Sequence, residues 1–158
     1  MAPATPAVSA LTRAGIAHTL RPYHHDPAST DFGAEAVAAL GSDPARVFKT
    51  LVARVDGVLA VAIVPVSGQL DLKALAVALG AKKSTMATVA DAERSTGYVV
   101  GGISPLGQRR ALSTVLDSSA SGFATVLVSA GRRGLQVELA PGDLAAACEA
   151  RLAPIATG

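Results

Sequence analysis

Lys49 lies inside the segment Val47-Phe48-Lys49-Thr50-Leu51-Val52, whose other residues suit a buried strand better than a surface. Side chains alternate along an extended chain, so Lys49 shares a face with Val47 and Leu51 while Phe48 and Val52 form the other. A strand that is apolar on both faces is covered on both, and lysine is almost never buried without a partner. Lys49 therefore either snorkels to water at the strand's edge or points into a polar pocket. In such a pocket an ammonium polarises a carbonyl or holds a phosphate, and the character of the strand favours this second reading.

The segment Gly97-Tyr98-Val99-Val100-Gly101-Gly102-Ile103-Ser104-Pro105-Leu106-Gly107-Gln108 places four glycines and a proline within twelve residues, beside a short apolar run. Glycines so placed let the backbone take φ > 0 or approach something closely. Exposed backbone N–H groups would suit an anionic or carbonyl ligand, and a tight loop between strands would need the same residues. Ser129-Ala130-Gly131-Arg132-Arg133-Gly134 poses a similar choice, between an anion-binding nest and a hairpin turn with exposed arginines.

Other reactive residues carry less. His24 and His25 are adjacent and face opposite ways on a strand, His18 stands apart, and there is no His-Glu-x-x-His pair, so no metal site is expected. The single cysteine, Cys148, excludes an internal disulfide and follows Leu144 by one helical turn, as a core residue would. There is no G-x-S-x-G elbow, Walker motif or G-x-G-x-x-G, and no cofactor is expected.

Composition narrows the class. The 158 residues suit one domain spanning 1–158, with an aliphatic core, since aromatics make up only 3% and there is no tryptophan. That scarcity argues against a platform that grips single-stranded nucleic acid by stacking. The net charge of +2 neither demands nor excludes a polyanion. The pairs Lys82-Lys83, Arg109-Arg110 and Arg132-Arg133 could gather into a phosphate-contacting patch or stand separately on solvated loops. The longest apolar run, Val58 to Val64, is far short of the roughly 20 residues a membrane helix requires, and no signal peptide is evident. The expectation is a cytoplasmic protein without a membrane partner.

The elements that must position Lys49 and the glycine loop follow from caps and breakers. Thr5-Pro6 opens a helix that Gly15 ends, and residues 17–24 read as a strand. A helix over 32–40 stops at Gly41, and Pro44 opens a further turn. Strands over 47–55 and 58–66 flank the hairpin signal Asp56-Gly57. Helices are expected over 71–79 and 89–94, strands over 112–116, 123–129 and 135–139, and a last helix over 141–152. Without strict βαβ alternation a doubly wound sheet is disfavoured. The pattern predicts an α+β fold, a mixed, barrel-like β-sheet surrounded by helices.

Taken together, Val47-Phe48-Lys49-Thr50-Leu51, Gly68-Gln69-Leu70-Asp71, the stretch from Ser95 to Gly107, and Val128-Ser129-Ala130-Gly131-Arg132-Arg133-Gly134-Leu135 closely resemble the YbaK/EbsC family. The likeness runs from Tyr23-His24-His25-Asp26-Pro27 to Glu138-Leu139-Ala140-Pro141-Gly142-Asp143-Leu144. These are freestanding editing proteins akin to the insertion domain of bacterial prolyl-tRNA synthetases. The resemblance implies a Cys-tRNA(Pro) deacylase with a mixed β-barrel fold, no cofactor and no metal. Prolyl-tRNA synthetase enters as a second candidate partner.

By the same resemblance Lys49 matches the family's functional lysine, and Gly101 to Pro105 match its G-x-x-x-P loop. Tyr23 matches a site tyrosine and Ser129 a site serine. The implied catalytic set is Lys49, Gly101, Gly102 and Ser129. The implied substrate contacts are Tyr23, Ile103, Ser104, Pro105, Arg132 and Arg133. The family's mechanism needs no nucleophile from the protein, because the substrate's own thiol attacks its ester carbonyl. The expectation is that amides around Gly101-Gly102 polarise the carbonyl and Lys49 holds the terminal adenosine's phosphate or ribose. Arg132-Arg133 and Lys82-Lys83 would then meet the acceptor stem. The alternatives are a non-catalytic aminoacyl-tRNA or synthetase-binding module, a regulatory protein that binds small nucleotides, or an editor of another amino acid such as alanine.

Overall fold

The computed structural model describes residues 5–158. Its elements in chain order are α1 (Pro6–Ala14), β1 (Thr19–Pro22), α2 (Phe32–Leu40), β2 (Phe48–Val55), β3 (Val58–Pro65), β4 (Gln69–Leu70), α3 (Leu72–Ala78), β5 (Ser84–Met86), α4 (Val89–Thr96), β6 (Ser113–Asp117), β7 (Val126–Arg132), β8 (Leu135–Leu139), α5 (Pro141–Ala147), β9 (Arg151–Ala153) and β10 (Ala156–Thr157). The caps follow the sequence signals. Thr5, Asp31, Asp71 and Thr88 each accept a backbone N–H from the first turn of α1, α2, α3 and α4.

The strands form a mixed five-stranded sheet in the order β5-β2-β3-β6-β9, a three-stranded sheet β1-β8-β7, and the pair β10-β4. The β2–β3 hairpin pairs Phe48 with Pro65 and Lys49 with Val64, while β6 runs parallel to β3 and β9 parallel to β6. The two larger sheets meet at the start of β2, where Val47 bridges Leu127 and the Leu127 N–H donates to the Arg46 carbonyl at 3.1 Å. They do not close into a continuous barrel. Arg46 secures the join through the Thr125 carbonyl at 2.8 Å, the Thr125 hydroxyl and the Glu138 carboxylate. The Thr125 hydroxyl first, then Arg21 and Arg46, hold the Glu138 carboxyl below the usual carboxylate range.

Apolar clusters lie on both sides of β2 and β3. Phe48, Val61 and Ile63 pack with β7, β8 and α1, whereas Ala53, Val55, Ala60, Ala62 and Val64 pack with Leu75 of α3 and Ile155. The double covering expected of the Lys49 strand is therefore present.

The C-terminal third departs from the sequence pattern. The helix expected over 141–152 ends at Ala147, Glu149 takes φ 52°, and residues 151–153 add β9 to the sheet. Leu152 is consequently half exposed instead of extending a helical stripe. The strand expected over 123–129 begins at Val126, after a 3-10 turn over 118–122, and runs on to Arg132. Asp117 explains the first change. Its buried carboxylate accepts the N–H groups of Ile155 and Ala156 at 2.8 and 3.0 Å, drawing the last segment across the sheet. Asp117→Ala leaves those donors unpaired and is expected to cost about 2–3 kcal/mol, read as a lower urea midpoint at unchanged slope.

Candidate functional site

A cavity of about 350 Å³ opens where the two larger sheets meet. Its floor is the first half of β2, including Lys49 and Thr50, together with Ser129 of β7 and Gln136 of β8. Its walls come from Phe32, Gly33 and Ala36 of α2, from Val100, Gly101 and Ile103, and from Met86, Val89 and Ala92. Register explains the floor, because Ser129 and Gln136 are direct cross-strand partners in the β7–β8 hairpin. The mouth is apolar, with Met86 48% and Val89 60% exposed.

Lys49 is half-buried and lines this cavity and a second, more polar one bounded by Ser67, Gly68, Gln69 and Thr157. No carboxylate of the described residues reaches its ammonium within salt-bridge distance. Its position at the join of two clefts fits the pocket reading of the sequence better than the snorkelling one.

The glycine loop approaches its own chain rather than leaving a vacant cradle. Gly101, at φ +91°, lies against Phe32, whose ring a Cβ would meet at 2.7 Å. Gly102 lies against the hairpin backbone, where a Cβ would stand 2.7 Å from Arg132 Cα and 2.9 Å from Arg133 N. The Gly102 N–H donates to the Val99 carbonyl at 2.8 Å, closing a turn, and Gly102 does not line the cavity. This corrects the expectation that its amide faces the ester. The Gly101 and Ile103 amides have no acceptor among the described residues, and both residues line the cavity.

Ser104 and Pro105 are buried and shape the loop from behind. The Ser104 hydroxyl accepts the Leu106 N–H at 3.2 Å, and its carbonyl accepts from the Gln108 amide at 2.9 Å. The Tyr98 hydroxyl donates to the Leu106 carbonyl at 2.6 Å, and burial pushes its pKa up to about 12. Arg133 fastens the outer side, donating to the Val100 carbonyl at 2.8 Å with its guanidinium 4.8 Å from the centroid of Phe32. Residues 129–134 are thus a hairpin with a register shift between Ser129 and Arg132. One arginine of the pair clasps the loop, and Arg132 is exposed.

Tyr23 does not line the cavity. Burial raises its phenol above the ordinary value, while hydrogen bonding to Gly134 and Gln136 offsets part of the rise. The Ser129 hydroxyl accepts the Gly131 N–H at 3.2 Å, leaving its own proton available. His25 is engaged with Glu35 at 2.6 Å. Cys148 bonds the Leu144 carbonyl, and burial raises its thiol to about 11, so it is poorly suited to act as a nucleophile. Lys82 and Lys83 give their amides to the Asp56 carboxylate, and Arg109 and Arg110 theirs to the end of α4.

Sequence reasoning passed over Phe32, Thr50 and Gln136. Gln136 carries no clear signal, because its short strand holds a second polar residue, Glu138, on the same face. Among the described residues, Thr50 Oγ1 and Gln136 Oε1 are the buried side-chain polar atoms without a hydrogen-bond partner, and both belong to residues of this cavity.

The chain is similar to known proteins over most of its length. Residues 26–147 match the model of a family described as "Aminoacyl-tRNA editing domain". A protein of Enterococcus faecalis (strain ATCC 700802 / V583), named "Putative Cys-tRNA(Pro)/Cys-tRNA(Cys) deacylase EbsC", is 42% identical over 127 residues, covering 78% of this chain and 77% of that one. A solved structure described as "a putative trans-editing enzyme for prolyl tRNA synthetase" superposes with TM-score 0.84 at 25% identity, over 99% of this chain and 100% of the other. The structure of "hypothetical protein APE2540" superposes with TM-score 0.86 at 23% identity, over 97% and 100%. Among the described residues no helix is long and apolar enough to cross a membrane.

Proposed function

We propose, from the premise that this chain belongs to the aminoacyl-tRNA editing domain family, that it is a trans-acting deacylase that removes cysteine from mischarged Cys-tRNA(Pro). The observation that carries this reading is Lys49. Lys49, which has no carboxylate partner among the described residues, lines a largely apolar cavity together with Gly101 and Ile103, whose backbone N–H groups have no acceptor among the described residues. Such a site stabilises charge developing on an ester while keeping bulk water at its rim.

Besides Lys49 the lining holds hydroxyls, one amide and a single carboxylate, Asp31, which caps α2 by accepting the Ala34 N–H at 3.3 Å; it holds no histidine, glutamate or cysteine. The attacking group in this reading is the cysteinyl thiol itself. Its Sγ bonds to the ester carbonyl carbon, the bond from that carbon to the ribose oxygen breaks, and the thiol proton ends on the freed hydroxyl. The Gly101 and Ile103 amides meet the carbonyl oxygen, Lys49 holds the sugar-phosphate side, and Ser129 donates from the floor. The protein's share is orientation and charge stabilisation. Arg132 and the neighbouring bases meet the RNA backbone without reading sequence, and selectivity for the tRNA is shared with prolyl-tRNA synthetase.

A panel of tRNA(Pro) charged with cysteine, serine, alanine or proline tests the reading. Cysteine is expected to be released and the others retained. Retention of cysteine overturns the deacylase assignment, and fast release of alanine replaces the thiol with an activated water.

A further inference from the structure

The cavity lining carries one cation, Lys49, and one carboxylate, Asp31, which is engaged in capping α2. It also contains the orphaned pair Thr50 Oγ1 and Gln136 Oε1. Gln136 is only 7% exposed. It lines the cavity beside its cross-strand partner Ser129. An acceptor buried without a donor is costly to leave unmade. Two such atoms in one cavity define a place for a hydrogen-bond donor, and an ammonium brings three donors to meet them.

We infer that Thr50 and Gln136 bind the α-ammonium of the esterified amino acid and make the protein select against acyl groups that lack it. The inference rests on the deacylase reading for the identity of the ester, but it concerns binding and not the bond-breaking step. The ester would then lie with its amine toward Gln136 and its ribose toward Lys49, which fixes which face of the carbonyl meets the Gly101 and Ile103 amides.

Two non-cleavable ligands test this in the full chain. One is 3′-deoxyadenosine carrying cysteine through a 3′-amide, and the other is the same nucleoside carrying 3-mercaptopropionate, which lacks only the amine. Wild-type protein is expected to bind the first at least tenfold more tightly, as suits a charge-assisted hydrogen bond. Gln136→Leu, which keeps the volume and removes the acceptor, is expected to bring the two within about twofold. Thr50→Val, nearly isosteric, is expected to narrow the preference independently. An equal affinity of wild-type protein for both ligands, or a preference that survives in both variants, overturns the inference. Turnover of Cys-tRNA(Pro), measured beside it, separates the two claims. A binding preference without turnover supports the ammonium site and overturns the deacylase reading. Turnover by a protein indifferent to the amine does the reverse.

Discussion

Lys49→Met is expected to lower kcat/KM for Cys-tRNA(Pro) by about 10²–10³-fold while leaving the melting temperature unchanged or slightly raised. The rate effect follows from position. A charge-stabilising donor fixed in a low-dielectric site typically contributes that much, because it need not reorganise as charge develops. The stability effect follows from the missing partner. Lys49 makes no ion pair with the described carboxylates, so methionine gives up no favourable contact and removes the desolvation cost of a half-buried ammonium. Lys49→Arg is expected to restore only part of the rate, since a planar fork does not reproduce a point charge at the join of two clefts. Single-turnover deacylation and a thermal melt on the same preparations check both halves. Turnover near the wild-type rate in Lys49→Met would remove the lysine from the site.

Gly102→Ala is expected to have the second largest effect, and for a mechanical reason. The added methyl would stand 2.7–2.9 Å from backbone atoms of Arg132 and Arg133, and no rotamer change relieves a collision with backbone. The loop must move away from the hairpin, carrying Gly101 and Ile103 with it. Overpacking of this kind costs about 1–3 kcal/mol, and a displacement near 1 Å of positioning groups can cost on the order of 100-fold in rate. Gly122→Ala is the matched control. A Cβ there meets nothing within 4 Å, so both its stability and its turnover should stay near wild type. If Gly102→Ala retains full activity, the contact between loop and hairpin does not set the geometry of the cavity.

Much of the candidate site is legible in the sequence. Lys49 was marked by a simple conflict between a charged residue and a strand with two apolar faces, and that conflict is local to β2. The glycine loop was marked by density of residue type. What the loop's glycines approach was not legible, because the partners, Phe32 and the hairpin backbone, lie far away in sequence. The same distance hid the orphaned acceptors. Thr50 and Gln136 look like ordinary strand residues until β2 and β8 are brought to one cavity. The last helix failed for a related reason. Residues 148–153 have acceptable helical character, but Asp117 offers their neighbours buried hydrogen bonds that a helix could not use.

The sequence by itself determined the caps, the hairpins, the double-faced strand and the chemistry available at Lys49, all of which depend on residues within a few positions of one another. Only the tertiary structure decided which loop residues line the cavity, that Ser104, Pro105 and Arg133 shape the loop's backbone, and that two orphaned acceptors share the cavity with the cation. Those outcomes depend on which segments meet when two sheets join at Val47 and Leu127, and a local pattern carries no record of a contact made across eighty residues of chain.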